Sequence, residues 1–239
     1  MMLDLSDVDS IRELNWIDKA RELDTQGWSV LPRLLSSRAC QQIANFYTAD
    51  GAFRSHVKMA RHGFGRGEYK YFSYPLPEKV QALRTALYPH LATVANEWHE
   101  RMRIEKRFPQ AHADYLKECH GAGQVNPTPL LLRYGAGDFN CLHQDLYGEE
   151  VFPLQVATLL SQPGVDFEGG EFVLTEQRPR MQSRVEVVPL KQGDAVVFAV
   201  NNRPMHGTRG VYRVKLRHGV STLREGHRYT LGIIFHDAK

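Results

Sequence analysis

Apolar residues recur at helical spacing through the first third of the chain, then give way to short alternating runs. Residues 10–26 carry Ile11, Leu14, Ile17 and Leu23 on one helical face, and Gly27 is placed to stop that helix. Residues 28–31 read as a strand before Pro32, and Ser36 or Ser37 is suited to cap a helix through about Tyr47, with Cys40, Ile43 and Ala44 on one side. Pro77 opens a long helix along Val80, Leu83, Leu87, Leu91, Val94 and Trp98, in which Pro89 predicts a kink. A further helix over about 110–119 ends at Gly121-Ala-Gly123.

From Pro129 the period changes. Residues 130–134, 154–160, 171–175, 184–188, 195–199, 212–220 and 228–235 read as strands separated by Gly, Pro, Asn and Asp clusters. Many short strands with turn signals between them predict a sandwich or barrel. The expected class is therefore α+β: a jelly-roll core over 129–239, buttressed by a helix-rich portion over 1–128, in a single domain spanning 1–239.

Composition adds little to this picture. The 239 residues are 42% hydrophobic and 24% charged, with a net charge of +3, which is ordinary for a globular chain and too small to prove an anionic partner. The acidic start lacks the basic and apolar regions of a signal peptide, and no run of about 18 apolar residues occurs, so the expectation is a cytoplasmic protein with no membrane contact. Cys40, Cys119 and Cys141 are odd in number and far apart, which indicates neither a disulfide framework nor a paired Cys metal site; Cys141 is expected to be a small buried thiol.

Candidate chemistry centres on histidine. A catalytic non-haem iron takes two imidazoles and one carboxylate on one face and keeps open positions for its reactants. In an extended segment a His-x-Asp pair supplies two of these, because residues two apart point the same way. His143-Gln-Asp145 has this form, although 11 His and 12 Asp lead to roughly half a match by chance. His112-Ala-Asp114 matches too, but falls in a predicted helix, where residues two apart diverge by about 200°. For the third ligand, His218 shares a strand face with Val214, Leu216 and Val220, while Arg213, Lys215 and Arg217 take the other face; His206, in an Asn-Pro-Gly-rich stretch that reads as a loop, is the alternative. Beyond the turn-like residues 221–226, Arg228 and Thr230 share a face opposite Tyr229, Leu231, Ile233 and Phe235. A buried arginine there needs an anionic partner, either a dicarboxylate or a core acid.

Four segments in order resemble the Fe(II)/2-oxoglutarate dioxygenases of the double-stranded β-helix fold. They are Arg133-Tyr-Gly-Ala-Gly-Asp-Phe-Asn-Cys-Leu-His-Gln-Asp145, Phe167-Glu-Gly-Gly-Glu-Phe172, Gln192-Gly-Asp-Ala-Val-Val-Phe198, and the stretch from Arg217 to Leu231. The resemblance spans about residues 130–237. It implies Fe(II) on His143, Asp145 and His218, 2-oxoglutarate as cosubstrate with its far carboxylate on Arg228, Thr230 and Tyr134, and O2 as oxidant. Retention of Asp145 implies hydroxylation, since related halogenases lack that carboxylate. The nearest group is a bacterial oxygenase family linked to damaged DNA and comparable to AlkB-type dealkylases. Those continue as Arg-x-Asn-x-Thr-x-Arg, whereas here Arg228 is followed by Thr230, Gly232 and Ile234, so the second arginine is missing.

Three functions follow as expectations. The first is oxidative dealkylation of a modified nucleobase. It is motivated by residues 53–72, which hold five Lys/Arg against one Glu with interleaved aromatics and read as a lid or a solvated loop, and by a second basic stripe over 209–217. The second is hydroxylation of a protein side chain or amino acid, as in prolyl-hydroxylase relatives. The third is a metal-free barrel acting as a binding module.

Overall fold

The computed structural model describes residues 6–49, 51–146, 148–208 and 210–239; the acidic start at residues 1–5 and Arg209 of the second basic stripe lie outside the described residues. Helices α1 (Ser6–Glu13) and α2 (Trp16–Gln26) stand where the spacing predicts one helix. The cause is Asn15, whose Oδ1 accepts from the Asp18 amide at 3.3 Å and caps α2; a capping residue adopts non-helical dihedrals and so ends what precedes it. Gly27 terminates α2 as expected, its amide donating to the Leu23 carbonyl at 2.8 Å. Strand β1 (Trp28–Leu31) follows, then α3 (Ser37–Asn45), capped by Ser36, whose hydroxyl oxygen accepts from the Ala39 amide.

Residues 53–72 are mostly strand rather than loop. They form β2 (Phe53–Lys58), β3 (Gly65–Arg66) and β4 (Glu68–Phe72). Helix α4 (Glu78–Arg101) runs through Pro89 as one element, and α5 (His112–Gly121) follows. The remaining strands are β5 (Leu130–Gly135), β6 (Phe139–His143), β7 (Leu154–Leu159), β8 (Phe167–Gly169), β9 (Phe172–Gln177), β10 (Arg184–Val188), β11 (Ala195–Ala199), β12 (Asn202–Gly207), β13 (Gly210–Val220) and β14 (Leu223–Ile233). The stretch 221–226 is thus only partly a turn: Ser221 and Thr222 turn the chain, and Leu223, Glu225 and Gly226 pair with β8.

The strands make two antiparallel sheets. The larger runs β1-β11-β7-β14-β5-β4-β2, with β8 added on β14; the smaller runs β10-β9-β13-β6-β3, with β12 added on β13. Alternation along β14 organises the molecule. Leu231 and Ile233 join a core with Leu83, Leu87, Leu91 and Trp98 of α4, while Arg228 and Thr230 face the space between the sheets. Each fully buried leucine on α4 contributes about 1.5–3 kcal/mol, which makes the helical layer the main support of the larger sheet. Between the sheets, Phe172, Leu174, Val196 and Phe198 form a separate cluster.

The segment 53–72 joins the two layers along one edge. Strand β4 pairs with β5 of the larger sheet, and β3 pairs with β6 of the smaller one, Gly65 opposite Asn140. Gly65 takes φ +127°, and a Cβ there would overlap the Phe139 carbonyl, so only glycine turns this corner. Among the described residues no helix is long and apolar enough to cross a membrane.

Where α5 meets the C-terminal end of the larger sheet, two buried histidines are held neutral. His112 Nε2 lies 2.8 Å from the Phe235 carbonyl, and His236 Nδ1 accepts from the Phe152 amide at 3.2 Å. Burial first, and then the nearby Arg84 guanidinium, lowers each to about 4. In the unfolded chain they titrate near 6.5, so above that pH neither state takes up a proton. As pH falls from about 6.5 towards 4 the unfolded state gains protons that the folded state refuses, and stability drops. Urea unfolding of the apoprotein is expected to lose about 2 kcal/mol per histidine between pH 7 and pH 5. His112→Asn combined with His236→Asn should flatten that slope, and an equally steep slope in the double variant would refute the assignment.

Candidate metal centre and cosubstrate pocket

The smaller sheet places two histidines side by side. Strands β13 and β6 are antiparallel with His218 opposite His143, and the register shifts between His218 and Val220, where Val220 pairs with Asn140. Gly219 occupies this irregularity. A Cβ on it would sit 2.7 Å from the Asn140 carbonyl oxygen, so glycine allows the close approach that brings the two rings to a centroid separation of 4.2 Å. Asp145 follows β6 by two residues and turns its carboxylate to both: Oδ1 lies 3.5 Å from His143 Nε2, and Oδ2 lies 3.5 Å from His218 Nε2. One ligand atom from each of the three falls within 4.8 Å of the others, a donor set of two imidazoles and one carboxylate that a divalent iron fits.

Local contacts prepare these donors. His143 Nδ1–H donates to the Cys141 carbonyl at 2.8 Å, which leaves the Nε2 lone pair free to ligate. Gln144, between the two ligands, donates through Nε2 to the Leu216 carbonyl at 2.7 Å and to Asn201 Oδ1 at 2.8 Å, pinning the motif to β13. His218 is packed against Phe198 at 4.6 Å, and burial holds its pKa down, favouring the neutral, ligating form. Burial alone would raise Asp145, but His218, His143 and the neighbouring Gln155 outweigh it and hold the carboxyl at about 2.

Other residues fall as follows. His206 lies on β12 rather than in a loop, exposed and opposite Val211, and is outside the cluster. His112 faces Phe235 from within α5 while Asp114 pairs with Lys117 in solvent at 2.8 Å, so that His-x-Asp does not converge. Cys141 is exposed rather than buried. Arg213, Lys215 and Arg217 are exposed on the outer face of β13, as the alternation predicts.

Across the cavity stands Arg228, 2% exposed, on β14. Its Nη1 donates to Thr230 Oγ1 at 2.7 Å, its guanidinium lies 5.6 Å from the Tyr134 ring centroid, and Tyr134 is its register partner on β5. Among the described residues no carboxylate pairs with it, and its Nε has no partner. Burial consequently pulls its pKa down, with only Tyr134 and Glu171 opposing. An interior guanidinium without an acid is costly, and the bidentate carboxylate of a bound diacid would offset that cost. The cavity between Arg228 and the histidines measures about 220 Å³, where one water needs roughly 10–15 Å³.

The sequence-based reading missed part of the wall. Phe64, Tyr69 and Tyr71 line the cavity from residues 53–72, and Asn140, Gln144 and Gln155 line it elsewhere. The alternation of Tyr69, Tyr71 with Glu68, Lys70 was the available signal. Two of the five cations in that segment are structural: Lys70 donates to the Tyr47 carbonyl at 2.8 Å, and Arg54 donates to the Pro127 carbonyl at 2.9 Å.

Two packed antiparallel sheets, helices behind the larger one, and a His-Asp-His cluster facing a lone buried arginine define a jelly-roll Fe(II)/2-oxoglutarate dioxygenase, a class that uses Fe(II), 2-oxoglutarate and O2. Within that class the chain belongs to the Oxygenase-NA family, described as an oxygenase catalysing oxidative methylation of damaged DNA, which matches residues 67–238. An uncharacterised protein recorded in two strains of Mycobacterium tuberculosis is 49% identical over 167 residues, covering 70% of this chain and 72% of that protein. In fold the chain is similar to an oxidoreductase of the 2OG-Fe(II) oxygenase family from Burkholderia pseudomallei, at TM-score 0.56 and 16% identity over 95% of this chain and 94% of that one. It is similar as well to a Pseudomonas putida prolyl-4-hydroxylase, at TM-score 0.52 and 14% identity over 94% of this chain and 99% of that one. A Trichoplax adhaerens prolyl hydroxylase, solved with a hypoxia inducible factor peptide fragment, gives TM-score 0.56 and 14% identity over 99% and 94%. Membership of an oxygenase family displaces the expectation of a metal-free binding module.

Proposed function

We propose that this dioxygenase removes an N-alkyl group from a damaged nucleobase, with His143, Asp145 and His218 holding Fe(II) and Arg228, Thr230 and Tyr134 receiving the far carboxylate of 2-oxoglutarate. The observation that carries the site is the acid-free, fully buried Arg228 facing three convergent ligands across one cavity. For the substrate, support comes from the family description and from the ring-lined wall of Phe64, Tyr69 and Tyr71.

The bound iron, with 2-oxoglutarate and O2, supplies an oxidant that replaces a substrate C–H by C–OH while 2-oxoglutarate leaves as succinate and CO2. Arg228 and Thr230 fix the cosubstrate's distal end, so that its keto acid end points towards the ligands. Asp145, ionised well below neutral pH, balances part of the metal charge. The Phe172 and Phe198 rings keep the histidine side of the cavity dry. One oxygen atom ends in succinate and the other in the alkyl carbon; an N-hydroxymethyl group then breaks its C–N bond, giving formaldehyde and the N–H base. The atoms balance for removal of a methyl group.

The test is succinate and formaldehyde release by anaerobically prepared protein given Fe(II), 2-oxoglutarate, O2 and ascorbate, with N-methylated oligonucleotides and, in parallel, proline-containing peptides. Matched formaldehyde and succinate with the oligonucleotide support the reading. Stimulation by the peptide alone would transfer the assignment to prolyl hydroxylation. Arg228→Ala is expected to raise the 2-oxoglutarate concentration for half-maximal turnover by about 30-fold or more, the loss of a charge-assisted contact, while iron affinity holds. An unaltered 2-oxoglutarate dependence would remove Arg228 from the site.

A further inference from the structure

The aromatic wall of the cavity continues past its lip into solvent. Phe64 borders the cavity yet remains 43% exposed, and the exposed His62 ring stacks on it with centroids 5.3 Å apart and planes 22° from parallel. The pair projects from the bend between β2 and β3, held from below where the Cys141 amide donates to the Phe64 carbonyl at 2.9 Å. That bond ties the platform to the strand carrying His143, so the rings keep a fixed relation to the metal ligands.

The same segment carries cations. Lys58 and Arg61 are exposed and make no ion pair among the described residues, and Arg66 reaches Asp138 only at 3.9 Å. Inside the lip, Tyr69 and Tyr71 meet edge to face at 5.4 Å, so the rings run from solvent into the cavity.

We propose that the His62–Phe64 pair is a stacking platform for the base next to the one that enters the cavity, and that the preferred partner is therefore single-stranded nucleic acid. This rests on the nucleobase reading of the cavity. A base that enters a cavity walled by Tyr69 and Tyr71 must leave its stack, which also strips one face of its neighbour. A parallel aromatic pair at the lip replaces that lost face, and it does so without regard to base identity because every base has a π-face. Arg61, exposed and next to His62 in sequence, is the cation best placed to meet a flanking phosphate and supply a salt-dependent part of the affinity. In a duplex the same neighbour is already stacked and paired, so the platform has less to offer.

The test is fluorescence anisotropy of a labelled, unmodified single-stranded DNA dodecamer, and of its duplex, binding to the full chain at fixed salt. Wild type is expected to bind the single strand more tightly than the duplex. Phe64→Ala and His62→Ala should each weaken it about fivefold or more, the loss of one base–aromatic stack, and Phe64→Trp should restore it. Thermal unfolding of each variant confirms that the exposed substitutions leave the fold intact. Absence of single-strand binding, preference for the duplex, or unchanged affinity in both alanine variants would overturn the proposal. Platform-dependent binding without formaldehyde release would sink the dealkylation reading alone. Dealkylation of an oligonucleotide with unaltered affinity in both variants would sink the platform alone.

Discussion

His218→Ala is expected to lose iron binding and 2-oxoglutarate turnover together, while His206→Ala behaves as wild type. The geometry leaves no substitute for His218. Its register partner is His143, its Nε2 faces Asp145 at 3.5 Å, and the rings packed on it, Phe198 and Phe172, offer no ligand atom. Removing a residue that merely supports a ligand costs 10–100-fold in metal affinity, so removal of a ligand itself is expected to exceed about 100-fold. His143→Ala and Asp145→Ala should follow. Anaerobic Fe(II) titration separates this from a cosubstrate defect, because Arg228→Ala keeps the metal. Iron affinity retained in His218→Ala and lost in His206→Ala would move the third ligand to β12.

Asp237→Ala is expected to give the largest loss of stability outside the site, about 3–5 kcal/mol. Arg84 on α4 and Asp237 near the C-terminus are both fully buried and pair at 2.9 Å. Asp237 also accepts from the Tyr74 hydroxyl at 2.9 Å and lies 2.9 Å from His120 Nε2, while Arg84 donates to the Ile234 and His236 carbonyls at 2.9 and 3.1 Å. Truncating the acid leaves a guanidinium charge in the interior with carbonyls as its main partners, which is why breaking such a pair costs more than the pair contributes. For a chain of this size the loss corresponds to about 6–20 °C in the unfolding midpoint. Arg84→Met combined with Asp237→Leu should recover part of the loss by removing both charges. A drop below about 1 kcal/mol in Asp237→Ala would show that water reaches the pair.

The convergent His-Asp-His cluster was legible because its signals were local. His143 and Asp145 needed only an extended segment, and His218 needed only the phase of β13, in which Arg213, Lys215 and Arg217 mark the outer face. The false pair His112-Ala-Asp114 was separable for the same reason, since its helical setting could be read from the surrounding period. The role of Arg228 was half legible: its face could be assigned, but its lack of an acid partner depends on what Glu171 and Asp138 do elsewhere. Residues 53–72 were misread because their strands are stabilised by pairing with β5 and β6, far along the chain, and glycines at 63, 65 and 67 imitate a loop. Asn15 hid a helix break inside an otherwise continuous apolar period.

The proposed iron ligands His143 and His218 and the proposed cosubstrate arginine Arg228 stand on different sheets, and packed sheets keep a spacing of about 10 Å. On that proposal the two ends of one small diacid are held by two independent walls, and the width of the barrel acts as a length gauge for the cosubstrate. A longer or shorter keto diacid that satisfied Arg228 would miss the ligands, and the reverse. Damage to the Phe172–Phe198 layer, which packs on His218 without offering a ligand atom, would be read out as oxygen consumed without product rather than as loss of binding.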